Sequence, residues 1–137
     1  MKRYMNWAIF YAVIAMVGGV FYREFTKMFA FSGQTALAFV HPHYFMLGTL
    51  FFLLLAVMEH CFKFTDKKTN KIMIFYHIGL NLTCVMLVVR GIIQVLNVHL
   101  TFAMNASIAG VAGIGHILLG VSIILLLLNL KARIANQ

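Results

Sequence analysis

Four long apolar stretches, separated by short polar or basic segments, dominate the chain. They cover residues 4–22 (YMNWAIFYAVIAMVGGVFY), 41–62, 72–96 and 106–130. A bilayer core of about 30 Å is crossed by roughly 20 apolar residues of helix, and each stretch meets that length. The pattern therefore predicts an all-α protein with four transmembrane helices in one domain spanning 1–137. The first stretch follows Lys2 and Arg3 as a signal peptide would. It lacks a small-x-small cleavage site before a polar start, and Trp7 and Tyr11 interrupt its apolar centre, so it is read as a retained helix.

Composition agrees and narrows the class. Of 137 residues, 63% are hydrophobic and only 10% charged, against about a quarter charged in a soluble domain. An ordinary cytosolic enzyme, a disordered chain and a nucleic-acid-binding module are excluded on this ground. The net charge of +8 comes from basic clusters between the apolar runs, which orient a membrane protein rather than grip phosphates. Lys2, Arg3, Lys63, Lys67, Lys68, Lys71, Lys131 and Arg133 fall on one side. Arg23 and Lys27 fall on the other, with Arg90 just inside it. The positive-inside rule then puts both termini in the cytoplasm and the 23–40 connection outside. That connection is Phe-rich yet broken by Lys27, Ser32, Gly33 and Gln34, which predicts a short interfacial helix or a lid over the outer end of the bundle. Cys61 and Cys84 lie far apart in apolar runs and are expected to be buried thiols.

Six histidines in so apolar a chain are the candidate chemistry. Ionisable residues inside a membrane are costly and mark function, and neutral imidazole suits haem iron or copper. His99 falls in an outer turn and His60 at an inner helix end beside Glu59, where solvation accounts for both. His77, roughly 8 Å from the inner edge, and His116, near mid-membrane, differ in depth by roughly 7 Å. They serve as interhelical hydrogen-bonding residues more readily than as ligands of one iron. His41-Pro42-His43 is different. Residues i and i+2 of a helix point about 200° apart, so the two rings suit two separate sites on either side of the second helix. Pro42 is tolerated in a first helical turn. A plain pair of headgroup histidines remains the alternative.

Arg23 ends the first span on the same side of the membrane, and Arg90 lies a turn or two from that boundary. Guanidinium groups pair well with the propionates of a haem, although Arg23 serves equally as an interfacial anchor and Arg90 as an interhelical donor. Ala106, Ala109, Gly110, Ala112, Gly113, Gly115 and Gly120 leave much of the fourth span bare, which fits close helix packing and also a flat macrocycle.

The segments GGVFYREF (18–25) and VHPHYFMLG (40–48), separated by a loop of about fifteen residues, resemble catalytic subunit I of the haem-copper oxidase superfamily. There a Gly-rich helix end and an Arg-containing turn lie near a low-spin haem, and a His-x-His-Tyr helix starts at the outer face. The whole chain also resembles a family of small four-span prokaryotic membrane proteins without an assigned function. Subunit I has twelve spans in three four-helix arcs, so the resemblance implies a homotrimer of single arcs. It also implies haem b held between protomers, with His41 of one chain and His43 of the next as axial ligands, and Arg23 and Arg90 at the propionates. No adjacent His pair for copper and no proton-channel residues are found, and two histidines leave iron no open position. The expectation is therefore a protein of the prokaryotic cell membrane that transfers electrons or senses redox state and does not reduce oxygen. Its redox partner or quinone is unspecified. The competing expectation is a small copper or haem transporter or assembly factor, which nine methionines and scattered histidines would serve.

Overall fold

A computed structural model describes residues 1–135. It holds four helices long and apolar enough to cross a membrane: α1 Lys2–Met28, α2 Ala36–Phe62, α3 Lys67–Val95 and α4 Phe102–Ala135. Their number and order match the hydropathy pattern, but each is longer than its apolar run. Twenty-seven residues of helix rise about 40 Å, so the ends project beyond a hydrocarbon core or tilt within it.

The largest departure from the sequence reading is between α1 and α2. Helix α1 continues through Arg23 and Lys27 to Met28, with the Thr26 hydroxyl bonded back to the Tyr22 carbonyl at 2.9 Å. The connection shrinks to residues 29–35, turning at Ala30 (φ 47°). It docks on α3, as a lid would: Thr35 Oγ1 donates to the Gly91 carbonyl at 2.9 Å, and the Gln94 side chain accepts from Ala36 N at 2.7 Å. Helix α2 thus begins five residues before the apolar run at His41. It opens with a 3-10 turn, Ala36–Phe39, and a short α turn, Val40–His43. A π-helical stretch, Tyr44–Leu50, follows, and regular α-helix resumes over Phe51–Phe62.

Tyr4, Ala8, Tyr11 and Ala15 form the one buried stripe of α1, spaced three and four apart, as a helix face requires. They pack on Phe52, Tyr44 and Tyr76 of α2 and α3. Gly48 permits the close approach of α2, because a Cβ there would meet Tyr11 Cβ at 2.5 Å. Helices α3 and α4 touch backbone to backbone through Gly79 and Gly115, where added Cβ atoms would meet Leu119 N at 2.6 Å and Thr83 N at 2.9 Å. Close packing therefore explains Gly115. Gly110, Gly113 and Gly120, by contrast, have open space where a side chain would stand.

The two ends of the bundle differ. At the end carrying the termini, Asp66 caps α3, accepting from Thr69 N and the Thr69 hydroxyl at 2.7 and 2.8 Å. Arg133 of α4 donates to the same carboxylate at 3.0 Å, and Asn129 donates to Thr69 Oγ1 at 2.6 Å. The Thr69 donors, and then Arg133, hold the Asp66 carboxyl down at about 2. Lys63 turns the chain with φ 44°. Cys84 is buried as expected, but Cys61 is exposed, because the last turn of α2 leaves that face uncovered.

Candidate functional site

The π-helical stretch of α2 follows directly on His41-Pro42-His43, and Pro42 has no N–H to continue a regular ladder. The two histidine rings leave α2 on different sides, as their spacing predicts. Half-buried His41 turns toward α1, where its Nδ1 donates to the Ala15 carbonyl at 2.8 Å. Gly19 makes room, since a Cβ there would lie 3.3 Å from that nitrogen. The ring also packs over Phe45, with centroids 5.8 Å apart. His43 turns toward α4. Its Nδ1 donates to the Phe39 carbonyl of its own helix at 2.8 Å.

A carbonyl oxygen only accepts, so each Nδ1 carries a proton, and in the neutral ring each Nε2 keeps its lone pair. A backbone carbonyl on the far nitrogen is how proteins orient a metal-binding imidazole and fix its tautomer. The arrangement of His41 and His43 thus fits the chemistry expected of axial ligands.

His116 is where sequence reasoning fell short. The spacing gave no reason to pair it with His43, yet it lies beside that residue, with ring centroids 6.3 Å apart and planes at 85°. Its Nδ1 donates to the Ala112 carbonyl at 2.9 Å. Counting from the apolar run put His43 at the very start of its helix, but α2 begins at Ala36, about two turns earlier, and the packing of α4 on α3 decides which residue of α4 reaches that level. His77 occupies a different place. It packs at a tilt against Trp7 and stacks on Phe52, with centroids at 4.2 and 5.1 Å, and pairs through Nδ1 with the Tyr11 hydroxyl at 2.6 Å.

The arginines separate. Arg23 is exposed, beside Glu24 at 3.7 Å. It stands one turn beyond Gly19 on α1, on the face that His41 approaches. Arg90 donates to Asn105 Oδ1 at 2.5 Å and lines a polar recess with Gln34, Gln94, Asn97 and His99. None of His41, His43 and Arg23 lines that recess. His60 is exposed, and its neighbour Glu59 is engaged by Thr65 N and Oγ1 at 3.0 and 2.7 Å. Among the described residues, no three His, Cys, Asp or Glu side chains converge as a metal-ion cage.

Residues 1–133 match the model of a family described as "Protein of unknown function (DUF2871)". Comparison with curated proteins and with solved structures finds no match.

Proposed function

Since the chain belongs to this family, whose description names no activity, we propose from its own residues that it is a haem b-binding integral membrane protein serving electron transfer or redox sensing. The carrying observation is the pairing of each Nδ1 of His41 and His43 with a backbone carbonyl, which leaves two Nε2 lone pairs on different sides of one helix. Rings so placed serve two sites, and in the haem reading the second imidazole of each site comes from a neighbouring chain. Three chains close such head-to-tail contacts into a ring. The order of the Gly-Gly, Arg and His-x-His segments, similar to haem-copper oxidase subunit I, supports the same homotrimer.

His41 and His43 would hold the haem, which when bound would supply a one-electron couple. The residues of this chain set its surroundings. The Ala15 and Phe39 carbonyls fix the tautomers and raise imidazole basicity. Gly19 lets His41 sit against α1, and Arg23 one turn further presents a cation suited to a propionate. Arg90, held by Asn105 in the separate recess, is the second candidate for a propionate. The excess of basic residues at the terminus-bearing end supports cytoplasmic termini in a prokaryotic cell membrane.

The test is the absorption spectrum of detergent-purified protein with a mass measurement of the assembly. Sharp low-spin α and β bands after dithionite reduction are expected, lost in His41→Ala and in His43→Ala. Full haem retained in both variants would overturn the assignment.

A further inference from the structure

His43 of α2 and His116 of α4 stand more than seventy residues apart in sequence, yet their ring centroids lie 6.3 Å apart. With each Nδ1 committed to its own helix, both offer Nε2 alone. Two imidazoles on opposite sides of one ion, with bonds of about 2.0 Å and ring radii of about 1.1 Å, have centres about 6 Å apart. Met46, one turn after His43, lines the same recess of α2 as His43, together with Phe39, Pro42 and Leu47. The donor set is therefore two neutral imidazoles and a neighbouring thioether, without a carboxylate.

That set selects among metals. Magnesium, calcium and manganese want oxygen ligands, and structural zinc wants four donors. A monovalent ion with few, soft ligands suits it best, and a single charge costs less to bring to an apolar helix surface than two. We infer that His43 and His116, with Met46 as a third donor, form a copper(I) site within one chain.

The inference stands apart from the haem reading and shares only His43 with it. One Nε2 holds one metal, so copper and haem are alternative occupants of that imidazole. The experiment titrates copper(I) into the full chain in detergent against a chromophoric copper(I) chelator. The parent is the His41→Ala variant, in which His43 is released from any haem. One copper per chain is expected. His116→Ala in that background should weaken binding by more than about 100-fold, since losing an outer-shell partner alone costs up to that much. Met46→Leu should weaken it by less, with the helical circular dichroism of the parent retained in each. Undiminished affinity after His116→Ala, or no stoichiometric copper in the parent, would overturn the site. The haem spectrum of His116→Ala with His41 intact keeps the two readings apart. That variant should retain haem, and a colourless wild-type protein that still binds copper would defeat the haem reading alone.

Discussion

The Tyr11 hydroxyl lies 2.6 Å from His77 Nδ1, and this contact joins α1 to α3 in the middle of the bundle. Asn81 Nδ2 donates to the same hydroxyl at 3.0 Å and to the His77 carbonyl at 2.8 Å, while Asn81 Oδ1 accepts from Tyr44 at 3.1 Å. The Tyr11 oxygen thus takes the amide proton and has its own proton to give to His77. Polar groups of three helices are satisfied away from water by one another.

Removing the Tyr11 hydroxyl leaves His77 Nδ1 unpaired in an aromatic cage. Tyr11→Phe should destabilise the fold by about 1–3 kcal/mol, the usual cost of a buried group left without a partner. The readout is thermal unfolding in detergent. An unchanged melting temperature would remove the network from the account of stability.

Gly79 and Gly113 make opposite predictions for the same substitution. In a helix, Gly→Ala ordinarily gains about 1 kcal/mol. At Gly79 the new methyl would meet Leu119 N at 2.6 Å, where only helix separation gives relief. Gly79→Ala should therefore lower the melting temperature, by the equivalent of about 1–3 kcal/mol. Gly113→Ala, with open space around it, should leave it unchanged or raise it.

Asp66 should make stability acid-sensitive. Its carboxyl is held at about 2 in the fold, against about 3.9 in an unfolded chain. The folded value is depressed, so the stabilisation is complete above the unfolded value and is lost as pH falls toward 2. The pH dependence of melting should show that loss in the parent. Asp66→Ala should abolish its share of the acid sensitivity and cost about 1 kcal/mol at neutral pH through the missing helix cap.

Cys61 and Cys84 report topology together. Exposed Cys61 closes the last turn of α2 at the terminus-bearing end, and Cys84 is buried. A membrane-impermeant maleimide should label Cys61 in inverted vesicles and not in intact cells, with Cys84 silent until the protein is unfolded. Labelling of Cys61 in intact cells would reverse the orientation.

Part of this molecule follows from the chain alone. The number and order of the spans are carried by runs of apolar residues long enough to cross a bilayer, a property each segment has by itself. The divergence of the His41 and His43 rings is equally local, because a helix turns about 100° per residue.

Other features depended on partners distant in sequence. The true start of α2 is set by Thr35 and Ala36 finding acceptors on α3, which no window of hydropathy contains. The burial of His77 against Trp7 and Tyr11 has the same origin. So does the meeting of His43 with His116, because the close contact of Gly79 with Leu119 and of Gly115 with Thr83 fixes how far α4 rides along the bundle. Sequence determined which segments are helical and which way neighbouring side chains diverge. Only packing decided which faces meet and at what depth, because that choice rests on steric fit between helices that one-dimensional periodicity does not encode.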